Sequence, residues 1–163
     1  MLLDASPIIH LAKANHLGVL LELYDKIYCA PAVVKEVRFP ERAVEFLRDF
    51  VIVQPVKDKS IMAAVLAVHP KIGDGELETY ALYKELNVAS MLFLNTKAQN
   101  IFRHGYNANV HDVIHLPDID ISKRAFKSEK EVDEFYAALY KVLPTYALLG
   151  ERMRQRRLIS WVV

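Results

Sequence analysis

The sequence predicts an α/β fold in which helices cover both faces of a parallel sheet. Three observations carry that expectation. Short apolar segments recur along the chain, at residues 1–3, 27–30, 51–56, 88–94 and 108–114. Helical patterns separate them, and strand–helix alternation is the mark of βαβ units, whose crossovers are right-handed. The chain has 163 residues, 53% hydrophobic and 25% charged. That is one domain's worth of core, and it needs no disulfide to fold.

Taken in order, the first strand ends at Asp4. Ser6-Pro7 then reads as an N-cap with proline at the first helical position, and Ile8, Ile9, Leu11 and Ala12 carry the helix on. Residues 17–24 form a second helix. After the strand at 27–30, Pro31 opens a helix in which Glu36 sits among Val33, Val34 and Val37. Residues 41–49 are amphipathic, 51–56 extended and 60–68 helical. Residues 75–86 form the next helix and 88–94 a strand. A helix over 96–104 is then ended by Gly105 at the C′ position. Beyond Pro117-Asp118 the pattern changes. Residues 129–143 and 145–157 read as two helices broken at Pro144, followed by a strand-like end over 158–163 that carries Trp161. Residues 1–117 are therefore expected to form the α/β core, and 118–163 a helical extension packed on it.

The net charge is +1, which does not by itself announce a nucleic-acid binder. The charge is unevenly spread, however. Arg152, Arg154, Arg156 and Arg157 stand against Glu151 alone. Such a basic stretch attracts phosphates, and these arginines are candidate nucleic-acid contacts. The alternative is a solvated, arginine-rich helix end. The single cysteine, Cys29, fits a reducing compartment and a cytoplasmic location. The first residues show no basic stretch followed by an apolar one, so a signal peptide is not expected, and no apolar run approaches the roughly 18 residues of a membrane span.

In a parallel α/β sheet, ligands bind beyond the carboxyl ends of the strands. Asp4 ends the first strand, Glu36 lies in the helix after the second, and Asp74, Glu76 and Glu78 crowd the start of the helix at 75–86. Acids from distant parts of the chain are thus expected at one edge. No phosphate-binding glycine loop is present, because residues 73–75 lack the lysine and the spacing. No serine–histidine–acid order stands out. His111 and His115, four apart in a strand or loop, are a poor zinc pair. An all-oxygen acid set suits Mg²⁺ or Mn²⁺. These ions serve phosphodiester hydrolysis by activating water and neutralising charge on the phosphate.

Residues 1–37, from LLDASP to PAVVKEV, together with GELETYALYKEL at 75–86, resemble the PIN domains of VapC-type toxin ribonucleases. The likeness spans roughly residues 1–115. It implies an α/β/α sandwich, an acid cluster that binds Mg²⁺ or Mn²⁺, and cleavage of single-stranded RNA. It also implies a frequent homodimer and, for the toxins, a small antitoxin partner. By position, Asp4 matches the family's first acid, Glu36 the second and Glu76 the third. These three are the expected metal ligands. The fourth acid is expected just after the strand at 88–94, where Asn95 stands instead. Asn95 can offer a carbonyl oxygen or orient a water, but it brings no negative charge. Asp112 is a possible substitute. The departure opens an alternative, a catalytically weakened PIN fold kept for RNA binding or protein assembly.

Glu76 and Glu78 are about 200° apart at roughly 100° per helical residue, so one site cannot use both. Asp74 is expected to cap this helix and Glu78 to reach back to its start. Asn95 and Thr96 can also be read as a helix cap, the main reading for Thr96. Tyr80, Tyr83, Tyr136, Tyr140 and Tyr146 are read as core residues more than as base-stacking platforms.

Overall fold

A computed structural model describes residues 1–120 and 124–147. The arginine-rich stretch, the second C-terminal helix beyond Ala147 and the end carrying Trp161 lie outside the described residues. Five strands form one wholly parallel sheet: β1 (Leu2–Leu3), β2 (Tyr28–Cys29), β3 (Ile52–Val53), β4 (Met91–Leu92) and β5 (Val110–His111). Their spatial order is β3-β2-β1-β4-β5. Each strand is shorter than its apolar segment, because the flanking residues leave the ladder for caps and turns.

The central strands are buried on both faces, as parallel strands between helical layers must be. Leu2, Leu3, Met91 and Leu92 have no exposed surface. The described helices are α1 (Ala5–Lys13), α2 (Gly18–Leu23), α3 (Pro31–Glu36), α4 (Glu41–Phe50), α5 (Lys59–Val68), α6 (Asp74–Leu86), α7 (Thr96–Asn100), α8 (Leu116–Ile119) and α9 (Glu129–Val142). Helix α6 lies over β1 and β4 with α5 against it, whereas α1 packs with α4 and α9. The result is the expected three-layer α/β/α architecture. Aromatic packing ties α6 to the segment after α7, with Tyr80 stacked on Phe102 at 4.6 Å between ring centroids.

Several local expectations are corrected. Helix α1 begins two residues earlier than expected, at Ala5 in place of Pro7, so Asp4 and not Ser6 holds the N-cap position. Pro7 then falls in the first turn, where a missing N–H costs no intrahelical bond. Helix α7 is shorter than expected and passes into a π-helical turn, Ile101–Gly105. Gly105 is not left-handed; the left-handed residue is Asn107, at φ 49°. Asparagine tolerates that conformation better than other residues with a side chain.

The strand order sets the site. From β1 the chain steps outward through β2 to β3. It then returns to the free side of β1 with β4 and continues to β5. The two halves diverge between β1 and β4, and ligand crevices form above such a divergence. The Asp4 amide donates to the Leu92 carbonyl at 3.2 Å, so the ends of β1 and β4 are locked side by side there.

Candidate active site

Asp4 occupies this crevice. It is 3% exposed and takes the N-cap position of α1, yet its side chain closes no capping hydrogen bond. Burial pushes its carboxyl up to about 7. The nearby Ala5 and Ser6 amides act against that rise, and the negative charges of Glu76 and Glu36 add to it. Desolvation and like-charge repulsion both disfavour a carboxylate, and the two together mark a functional site more often than a structural one.

Glu36 ends α3, and its carboxylate lies against the first turn of α6. A methyl group at Gly75 would come within 2.6 Å of Glu36 Oε1. Only glycine lets the two helices approach this closely. The Gly75 amide faces the Glu36 carboxylate, whose pKa is nonetheless raised by partial burial and by the charges of Glu76, Asp74 and Glu78. Glycine at 75 is a positioning residue that the sequence pattern did not single out.

Glu76 sits at the third position of α6. Gly73, not Asp74, is the N-cap, and its amide donates to Glu76 Oε2 at 3.2 Å. Glycine has no side chain to return the bond, so the cap runs one way. The reach-back expected of Glu78 is therefore made by Glu76. Glu78 turns to the neighbouring helix, where its Oε2 accepts the Ala32 amide at 2.9 Å in the first turn of α3. That bond satisfies one of α3's free N–H groups and couples α3 to α6. The two glutamates turn to different partners, Glu76 to Gly73 and Asn95 and Glu78 to Ala32.

Asn95 caps α7. Its Oδ1 accepts the amides of Lys97 at 2.9 Å and Ala98 at 3.4 Å. This leaves its Nδ2 to donate to Glu76 Oε1. The cap fixes which way the amide points, because two N–H groups require an oxygen. Asn95 therefore offers no carbonyl oxygen to a ligand; it holds Glu76. Thr96, expected as a cap, is the first residue of α7.

Asp112 follows β5 and is buried, but its carboxylate is already occupied. Oδ2 accepts from Gln99 Nε2 at 2.6 Å and from the Tyr146 hydroxyl at 2.7 Å, while Oδ1 accepts the Ile114 amide at 3.2 Å. His115 Nδ1 accepts the Asp112 amide at 3.3 Å. This is a satisfied network that joins β5 to the C-terminal extension, not a spare metal ligand.

The acids fit a hard divalent cation in donor type and in charge. Asp4, Glu36 and Glu76 supply only oxygen; Asp4 feels the charges of Glu76 and Glu36, and Glu36 feels that of Glu76. They do not form a finished shell: among the described residues, no three His, Cys, Asp or Glu side chains stand close enough to hold a metal ion together. The reason is visible at Glu76, whose two oxygens are drawn to the Gly73 amide and to Asn95. Among the described residues, no helix is long and apolar enough to cross a membrane.

No curated protein matches the chain. A family model, DUF3368, described as a PIN domain, matches residues 1–104. That stretch contains β1 to β4, Asp4, Glu36, Glu76 and Asn95. PIN domains are in general metal-dependent nucleases. The chain belongs to the PIN domain family.

Proposed function

We propose that the protein is a Mg²⁺- or Mn²⁺-dependent endoribonuclease that hydrolyses phosphodiesters of single-stranded RNA, and that it serves as the toxin of a toxin–antitoxin pair. The observation that carries the nuclease reading is Asp4, a buried carboxylate at the β1/β4 divergence under the charges of Glu36 and Glu76. These three residues would hold the ion. Bound there, the ion would lower the pKa of a water and neutralise charge on the phosphate. The chain's own part is to orient and to exclude. Gly75 lets Glu36 close on α6, the Gly73 amide steadies Glu76, and the buried ends of β1 and β4 keep solvent from Asp4. The pKa of Asp4, near 7, means that it surrenders a proton as a cation arrives. The small antitoxin and the homodimer belong to the same proposal and rest on the family resemblance, whereas the helical extension from residue 118 rests on the sequence pattern.

The test is cleavage of a single-stranded RNA by pure protein with and without Mn²⁺, compared with Asp4→Asn. Metal-dependent cleavage that disappears in the variant is expected. Equal cleavage by both proteins would remove the proposal.

A second reading is a PIN fold weakened in catalysis and kept for RNA binding or protein assembly. Its support is the Asn95–Glu76 hydrogen bond, which replaces an acid with a donor and so competes with a cation for Glu76. Calorimetric titration with Mn²⁺ separates the two readings. Micromolar binding that vanishes in Glu76→Gln supports the nuclease, and no measurable binding supports the weakened module.

A further inference from the structure

Beside the acid site lies a cavity of about 200 Å³ that neither family membership nor the acid set explains. Val68, His69, Lys71, Ile72, Lys97 and Ile101 line it. Two of its lining residues adjoin the groups that hold Glu76. Ile72 precedes Gly73, whose amide holds Glu76, and Lys97 gives its amide to Asn95, which holds Glu76 from the other side. The character of the cavity is opposite to that of the acid site. Val68, Ile72 and Ile101 give it apolar lining, and Val68 is 67% exposed. The His69 ring stands edge-on to Tyr106 at 6.0 Å, which fixes its plane. Lys71 and Lys97 are exposed, and neither forms an ion pair with a described residue.

We propose that this cavity is a nucleotide subsite. It would receive one base of the RNA strand next to the scissile bond against Val68, Ile72 and Ile101, with the adjoining phosphate between Lys71 and Lys97. This rests on the RNA reading above. The volume is too small for a ligand that fills an ordinary pocket of roughly 300–1,000 Å³, and a single planar base is the occupant it suits. Single strands are held without sequence readout by a stacking platform beside a cationic groove, the part that the His69 ring and the apolar side chains around it would play here. The lysines also solve an electrostatic problem. Three carboxylates repel a phosphodiester, and two cations at their border offset that repulsion.

The probe is a fluorescein-labelled uridine pentanucleotide with 2′-O-methyl groups, which cannot be cleaved by its own 2′-hydroxyl. Its anisotropy is titrated with the full chain in EDTA at 50 and 150 mM NaCl. Lys71→Ala/Lys97→Ala is expected to weaken binding about ten-fold and to reduce the salt slope by about 0.7, the value for the one phosphate that is no longer neutralised. Val68→Asp, an exposed substitution, is expected to weaken it by a similar factor. Lys57→Ala/Lys59→Ala removes the same charge at the far end of α5, about 15 Å away at 1.5 Å per residue, and is expected to change affinity less than two-fold. Methyl resonances of Ile72 and Ile101 should shift on adding the probe. Equal losses from the two lysine pairs, unmoved methyls, or no binding by the wild-type chain would each overturn the subsite. Cleavage separates the two proposals. RNA cut with an unchanged KM by Lys71→Ala/Lys97→Ala removes the subsite and leaves the nuclease. Cavity-dependent binding without metal-dependent cleavage does the reverse.

Discussion

Asp4 and Asp120 are both buried aspartates, 3% and 5% exposed, but their surroundings are opposite. Asp120 lies after α8 and accepts three backbone amides, from Arg124 and Phe126 at 2.7 Å and Ala125 at 2.9 Å. Asp112 is filled in the same way by Gln99, Tyr146 and Ile114. Donors surround these two acids, and their charge stitches one segment to another. Among the described residues, the influence opposing the rise at Asp4 comes from the Ala5 and Ser6 amides, and two carboxylates press on it. Burial alone thus does not separate a structural acid from a functional one. What separates them is whether donors or other acids surround the carboxylate.

The largest consequence is in activity. Asp4→Asn should lower metal-dependent cleavage by at least about 100-fold, whereas Asp120→Asn should leave kcat within a few-fold as long as the fold survives. Stability should respond in the reverse sense. In urea unfolding, Asp120→Ala is expected to cost roughly 3 kcal/mol, because it strands buried amides that had a charged acceptor. Asp4→Asn should stabilise the metal-free chain at pH 8. The sign follows from linkage. The Asp4 carboxyl titrates near 7 when folded and about 3.9 when unfolded, so the fold binds its proton more tightly. That contribution is fully present below about pH 4 and is lost as the pH rises through 7. The charged form then costs at most about 4 kcal/mol, from about three units at 1.36 kcal/mol each. Urea midpoints of the metal-free wild type should fall between pH 4 and 8, those of Asp4→Asn should fall less, and Mn²⁺ should recover more stability at pH 8 than at pH 5. A flat wild-type profile would mean that Asp4 is satisfied like Asp120, and the contrast would be lost.

A smaller effect is expected at the boundary between helix and site. Gly75→Ala should favour α6 by about 1 kcal/mol on helix propensity alone. It should also push Glu36 off the helix, since the new methyl would lie 2.6 Å from its Oε1. Cleavage should fall roughly ten-fold, within the range that a 1 Å misplacement produces, while the urea midpoint moves little. A loss of stability equal to the loss of activity would place Gly75 with the packing and not with the site.

The sequence carried the fold well and the site in part, for reasons that can be named. Strand–helix alternation and continuous apolar strands follow from chain-local burial, so β1 to β5 and the helices between them could be read directly. The divergence between β1 and β4 could not, because strand order is set by packing among segments far apart in the chain. The family resemblance singles out Asp4, Glu36 and Glu76, and in the fold the charges of Glu76 and Glu36 act on Asp4. The helix ends were not legible. Gly73 in place of Asp74, and Asp4 in place of Ser6, hold the N-cap positions because backbone hydrogen bonding and helix docking outweigh side-chain preference there. Glu78 shows the same limit, since its partner Ala32 lies 46 residues away. Gly75 had a signal that could have been used: a glycine inside a helix between two acids is costly unless something presses against it.

The finest test lies at Asn95, where a donor stands at the border of the acid site. Asn95→Asp keeps an oxygen for the Lys97 and Ala98 amides, so the cap of α7 should survive. The other oxygen of the introduced carboxylate would face Glu76 in place of Nδ2. In EDTA the hydrogen bond becomes a like-charge contact, and stability should fall by about 1–2 kcal/mol. With Mn²⁺ the sign reverses, because a fourth negative oxygen donor strengthens a hard-cation site. Calorimetric affinity should rise about ten-fold and the lost stability should return. Asn95→Ala distinguishes a missing donor from an added charge: it should weaken the α7 cap by about 1 kcal/mol without any gain in metal affinity. If Asn95→Asp binds Mn²⁺ no better than wild type, Glu76 does not face a cation. The acids around Asp4 would then be a strained structural group, closer to Asp112 than their charges suggest.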